Sequence, residues 1–490
     1  MRESLESGIR DLLHKWLLFA VGATGVAGIL AVFIAMARVP ALQAISPSKF
    51  FSAFLVGHVT FSLMISLLAF VAITAIYLGG VFLFLQHAQS NVSSSLGMIL
   101  GSRGSRTVLP GGGLMLSVIG SGLLLSAALA GHGKVVLSDY VPIVETHSFF
   151  VGYVFFVGGI LLVMGSFLRA VLRHRGRALP LPVYGMCAVI ACGMITILAL
   201  FVGLGTIGSR SYNALFWGAG HALQYVYVGT LAVTWYILAA SAYGAIPVAP
   251  RASRLAFALY PMLALPIPFL YFLVDPVVLP RMASVNTFLG LGLGLPTLLH
   301  ALLIFVSVTR AVRGEFLTWS GKVWEDPKAS ALALSSLLFL IGGLLAPVGA
   351  QNTLRVTAHY HAMLVGGVTL AFMGLVYHIL PAIGRDLRDA ISVRIQPFIF
   401  GLGVLLIVLT LAWAGSQGAP RKTVMAGIGV GVAWSAVLNF MALGAGLATL
   451  GGAIFVGSVL RALLPVQVES RAARATQGVG KRRRNLAGVT

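Results

Sequence analysis

Twelve apolar runs, each long enough to cross a bilayer, follow one another along this chain. They fall at 16–37, 53–86, 110–130, 149–171, 183–206, 213–243, 255–274, 285–310, 331–350, 356–381, 394–415 and 424–460. A hydrocarbon core about 30 Å thick takes about 20 helical residues to span, and backbone in lipid must satisfy its own polar groups. The pattern predicts an all-α polytopic membrane protein, a twelve-helix bundle. Composition agrees: 58% of residues are hydrophobic, 9% are charged and the mean hydropathy is +0.97, against about a quarter charged in water-soluble chains. Run 1 has no small-residue cleavage site behind it and reads as a retained helix, not a signal peptide. The chain divides into a cytoplasmic N-terminal segment 1–15, a twelve-span membrane domain 16–460 and a basic cytoplasmic tail 461–490.

A net charge of +21 would suggest nucleic acid only if topology were ignored. With the N-terminus inside, the inner segments carry 25 of the 33 Lys and Arg and the outer loops carry 8. That asymmetry is the positive-inside rule and puts both termini in the cytoplasm. The run Lys481-Arg482-Arg483-Arg484 meets anionic lipid or is simply solvated; no nucleic-acid partner is expected. Cys187 and Cys192 share span 5 and form neither a disulfide framework nor a zinc site; they read as small packing residues. The inner connection from Arg310 to Ala329, with Glu315, Lys322, Glu325, Asp326 and Lys328, reads as a solvated loop.

Ionisable residues at membrane depth are costly and usually functional. His359 and His361 lie two residues apart in span 10, about 200° apart around a helix of 3.6 residues per turn. A single metal would want both on one face, at i and i+4. Opposite faces suit two flat cofactors with the helix between them, haem above all. The other reading is a pair of histidines hydrogen-bonded to neighbouring helices. Depth favours cofactors. His58 near the start of span 2 and His221 near the start of span 6 share the outer-leaflet level of His359 and His361, as two haems side by side would require. The simplest assignment clamps one low-spin haem between His58 and His361. His359 then holds a second haem whose open side faces His221 and can take O2 or NO. Tyr225 follows His221 on the same face, and Tyr236 lies three turns further in; each is a candidate proton or electron donor or a packing residue.

From span 2 to span 12 the chain resembles subunit I of the heme-copper oxidase superfamily, and its B family most closely. Ala358-His359-Tyr360-His361, with Val368-Thr369-Leu370 and Tyr377-His378-Ile379-Leu380-Pro381, resembles the helix-ten signature. The resemblance implies His359 on a high-spin haem, and His361 with His58 on a low-spin one. Phe216-Trp217-Gly218-Ala219-Gly220-His221 with Tyr225 is similar to the helix-six motif, whose histidine binds copper and is cross-linked to the tyrosine. Asn352-Thr353 also fit, and Pro420-Arg421-Lys422 resembles the paired arginines that hold haem propionates, with lysine second. The resemblance further implies partner respiratory subunits (a subunit II-like or cytochrome c-like electron donor), lipid surroundings, O2 or NO as ligand, and the plasma (inner) membrane of a prokaryote.

One departure stands out. The helix-seven histidine pair of the family is replaced by Leu270 and Tyr271, between Pro266-Ile267-Pro268-Phe269 and Asp275-Pro276. Leucine ligates nothing, and a lone imidazole holds copper poorly, so the sequence argues against copper at His221. Tyr271 joins His221 and Tyr225 as a candidate distal residue. His300 lies about 20 Å into span 8 at 1.5 Å per residue, too deep for that plane; it suits a proton path or an interhelical hydrogen bond. His378 suits a hydrogen bond near the inner interface. No acid sits securely at membrane depth, so the span 6 file Tyr225, Thr230, Thr234 and Tyr236 is the visible inward proton route. Glu145 near the haem level, and Arg355 four residues before His359, are further polar candidates. Two functional readings stand. One is a di-haem reductase passing electrons from an outer donor to a gas; the other is a non-catalytic di-haem electron-transfer or gas-binding subunit. A haem-free transporter fits the shared histidine depth poorly.

Overall fold

The computed structural model describes residues 5–39, 42, 50–89, 105–130, 133–173, 178–275, 278, 282–345, 352–387, 390–421 and 432–464. Among these, twelve helices are long and apolar enough to cross a membrane. In order they are Ser7–Arg38, Phe51–Leu83, Thr107–Leu129, His147–Leu172, Leu181–Thr206, Tyr212–Tyr243, Pro250–Leu273, Ser284–Ala311, Pro327–Leu344, Leu354–Ala382, Ile391–Ser416 and Val437–Leu463. The all-α expectation holds. The first helix begins at Ser7, inside the segment read as N-terminal. Ile9, Leu12 and Leu13 are buried there, and Lys15 bonds Asp11 at 2.7 Å one turn away on the exposed side.

The spans are not equivalent. In spans 2, 6 and 10, 83%, 89% and 89% of the most apolar window is enclosed by protein, against 28–50% in the other nine. A helix that is apolar all round belongs inside a bundle, and these three carry His58, His221, His359 and His361. The outer spans expose large side chains such as Phe201, Phe305 and Phe440, as lipid contact requires. Small residues set the spacing between helices, as in membrane bundles generally. A Cβ at Gly366 would meet Leu338 of span 9 at 2.8 Å, and one at Gly367 would meet Phe339 at 3.0 Å.

Spans 2 and 10 each widen into π-helix beside a histidine, over Thr60–Ser66 and His361–Thr369. Such segments break the regular backbone register and recur at functional sites. At the outer end of span 10, Thr353 bridges Pro420. Leu354 N donates to Ala419 O at 2.9 Å and Arg421 N to Asn352 O at 3.1 Å. The Asn352-Thr353 and Pro420-Arg421 pieces of the sequence are thus one antiparallel clasp. Lys422 lies outside the described residues.

Two elements depart from the sequence reading. Before span 4 the chain makes a small antiparallel ribbon, Val135 paired with Val144 and Val136 with Ile143. Between spans 8 and 9, the stretch expected to be a solvated loop holds a helix, Phe316–Glu325. The reason is its pattern: Phe316, Leu317, Trp319, Val323 and Trp324 share one side at helical spacing, with Glu315, Thr318, Lys322 and Glu325 on the other. Phe316, Leu317 and Trp324 are exposed, and the Trp324 ring lies 5.4 Å from that of Phe398 on span 11.

Candidate haem and gas site

Three of the four outer-level histidines share one arrangement. Nδ1 of His58 lies 3.0 Å from Ala27 O, Nδ1 of His359 lies 2.8 Å from Gly342 O, and Nδ1 of His361 lies 2.8 Å from Thr357 O. A carbonyl only accepts, so each Nδ1 carries the proton and each Nε2 carries a lone pair. No described residue hydrogen-bonds any of the three Nε2 atoms. An imidazole held by Nδ1–H and open at Nε2 is the form in which histidine ligates a metal. These residues fit haem. His58 and His361 are close enough for a charge on one to be felt by the other, and Arg38 at the end of span 1 acts on both. Arg38 is buried, its Nε has no hydrogen-bond partner among the described residues, and its guanidinium carbon sits 5.6 Å from the Phe51 ring centre.

His221 is different. Its Nδ1 is 2.9 Å from Trp217 O, and its Nε2 is 3.1 Å from the Tyr140 hydroxyl. Both nitrogens are engaged. Leu270 has no donor atom. The Tyr271 hydroxyl donates toward Ala214 O at 2.8 Å and Leu215 O at 2.9 Å, and accepts from Gly218 N at 2.8 Å. It therefore ties span 7 to the first turns of span 6. Tyr225 donates to Leu289 O of span 8 at 3.0 Å. This set does not fit a copper ion.

The end of the bundle nearest these histidines is closed by polar side chains. Tyr360, the residue between the two span 10 histidines, lies near enough to Tyr140 for each phenol to influence the other electrostatically. Asp139 pairs with Arg421, and its backbone N–H reaches Asn213 Oδ1 at 3.0 Å. Burial pushes the Tyr140 phenol well above its usual range, with Tyr360 and Asp139 adding to the effect and Arg421 opposing it, so it stays an O–H donor. Sequence reasoning missed Tyr140 and Arg38. Tyr140 sits in a loop without a motif, and Arg38 looks like an ordinary boundary cation.

Inward, the polar groups leave span 6. Tyr236 donates to Ser253 Oγ at 2.9 Å, and its hydroxyl lies 3.2 Å from His300 Nδ1. Tyr260 and Thr297 join at 2.8 Å, and the Tyr260 ring stacks on His300. His300 makes an interhelical bond, as one reading of the sequence had it, and its buried Nε2 has no partner among the described residues. Thr230 bonds Val226 O of its own helix, and the Thr234 hydroxyl has no described partner. The file therefore crosses spans 6, 7 and 8. His378 bonds Tyr77 at 2.8 Å and Ser241 at 2.9 Å.

A twelve-span bundle with open imidazoles on its enclosed helices describes the haem-holding subunits of respiratory membrane oxidoreductases. Residues 11–452 match the family model Cytochrome C and Quinol oxidase polypeptide I, and the chain belongs to that family of heme-copper oxidase subunits. It is 27% identical over 344 residues to "Cytochrome c oxidase subunit 1" of Thermus thermophilus, covering 62% of this chain and 60% of that protein. It is also 27% identical over 376 residues to an uncharacterized protein of Aquifex aeolicus, covering 74% of this chain and 83% of the other. A solved heme-copper terminal oxidase dimer shares the fold, with a TM-score of 0.72 at 19% identity, over 94% of this chain and 84% of that one. The protein is an integral membrane protein, and the resemblance read from helices 6 and 10 is upheld at the level of family.

Proposed function

We propose that this chain is a di-haem subunit that moves electrons from an outer-side donor, through a low-spin haem between His58 and His361, to an open haem on His359 that binds or reduces O2 or NO without copper. One observation carries the reading: in three histidines no described residue bonds Nε2, while the fourth has both nitrogens engaged. When bound, haem supplies one-electron chemistry and, with one axial position open, gas binding. The protein does the rest. Carbonyls of Ala27, Gly342 and Thr357 fix the tautomer and orientation of the three ligands. Arg38 places a buried cation beside the low-spin pair. Arg421, held by the clasp, is the candidate propionate partner, with Lys422. Tyr225, Tyr271 and His221 border the gas side, Tyr271 by anchoring span 7. Protons enter from inside by way of Ser253, Tyr236 and His300. The 25 to 8 division of cations supports cytoplasmic termini in a prokaryotic plasma membrane, and the Thermus relative's name supports a partner that delivers electrons.

A second reading, a non-catalytic di-haem conduit or gas-binding subunit, is favoured by the lack of a donor set at Leu270 and Tyr271. Metal analysis with reduced-minus-oxidised and CO-difference spectra separates the two. Two haems, no copper, a CO complex and turnover of O2 or NO support the first; the same without turnover supports the second. A single haem overturns the ligand assignment. His359→Ala is expected to remove the CO-binding haem and leave the low-spin spectrum. Loss of both spectra from a folded protein would sink the opposite-face assignment.

A further inference from the structure

We infer that Tyr140 is the positioning residue of His221: its phenol takes the ring nitrogen a metal would need, and holds the imidazole in one tautomer and one rotation. The inference rests on the open-haem reading only for its effect on a bound gas. The bond itself follows from donors and acceptors. Trp217 O accepts the Nδ1 proton at 2.9 Å, so Nε2 of a neutral His221 only accepts. The Tyr140 hydroxyl at 3.1 Å must then donate to it. The two donors line up in one direction, Tyr140 to His221 to the Trp217 carbonyl.

The seat of Tyr140 is built, not incidental. Its ring packs on Gly220, where any Cβ would overlap it, and lies 4.9 Å from the His221 ring. The ribbon, the Asp139–Arg421 pair and Asn213 hold the loop from three sides. Where a metal would join spans 6 and 7 through imidazoles, this chain uses two phenols. Tyr271 ties span 7 to span 6, and Tyr140 ties the outer ribbon to His221.

Solid-state NMR of the protein labelled with 15N-histidine, in membranes, reads the bond directly, with His221 assigned by the signal lost in His221→Ala. The Nε2 signal of His221 is expected at a hydrogen-bonded acceptor position, and Tyr140→Phe, which keeps the ring on Gly220, moves it to the unbonded position. An unmoved signal overturns the inference. Should Tyr140→Phe fail to fold, chain-wide 3-fluorotyrosine keeps every hydroxyl and strengthens the donor. His221 Nε2 must then shift further in the bonded direction, and a signal that stays put overturns the proposal. The infrared C–O band of the CO complex supplies the functional readout: Tyr140→Phe moves it in the wild type and not in a His221→Ala background. A shift that persists without His221 shows that Tyr140 acts some other way and overturns the positioning role. Absence of any CO complex removes the open-haem reading and leaves the nitrogen signal to decide on Tyr140.

Discussion

Tyr271 holds two carbonyls and one N–H of span 6 with a single hydroxyl. Tyr271→Phe removes the hydroxyl these three groups share, a loss of about 1–3 kcal/mol. The expected result is a lower unfolding temperature in detergent with unchanged haem spectra; an unchanged temperature with altered CO binding would assign Tyr271 to the gas side instead. Arg38 makes an opposite kind of prediction. A buried cation disfavours the oxidised iron, which carries the extra positive charge. At an effective dielectric near 20, a unit charge placed about 10 Å from another is worth about 1.7 kcal/mol, or ~70 mV for one electron, which sets the scale if His58 and His361 hold a haem. Arg38→Met should lower the low-spin midpoint potential by tens of millivolts in a spectroelectrochemical titration. At this scale His58, His221, His359 and His361 were legible because an imidazole in an apolar run is conspicuous. Tyr140 and Arg38 were not, because a loop tyrosine and a boundary arginine resemble hundreds of inert ones until folding brings them to a histidine.

The number and order of the spans were legible, since length and hydropathy fix a span regardless of its neighbours, but some ends were not: the first helix starts at Ser7, nine residues before the apolar run read from 16. Which spans lie inside was not: span 6 has the lowest hydropathy of the twelve, 1.4, yet is among the most enclosed. Its glycines and tyrosines, which lower the average, are what let other chain segments approach. The helix Phe316–Glu325 was hidden because the acids and lysines in and around it suggest solvent until their helical period is taken into account. Its apolar side faces outward beside span 11, so we expect it to lie in the inner membrane interface. A nitroxide at Leu317→Cys should be relaxed by oxygen dissolved in lipid, and one at Lys322→Cys by a water-soluble nickel chelate. Equal water accessibility at both would return the segment to solvent.

On the scale of the whole molecule, the clearest division is between a level of histidines toward one end of the bundle and a polar file toward the other, across spans 6, 7 and 8. Tyr236→Phe removes the hydroxyl between Ser253 and His300. It should slow turnover and proton uptake in liposomes while the low-spin haem is still reduced at its normal rate; slowed haem reduction would place the effect elsewhere. The enclosure of spans 2 and 10 carries a consequence for biogenesis. His58 and His361 sit on two helices in which more than four-fifths of the most apolar window is buried. A rigid macrocycle cannot slip between such helices after their neighbours have docked. On the proposed ligand assignment, a haem would have to arrive while the bundle is still assembling in the membrane, and chains that close first would be dead ends for quality control to remove.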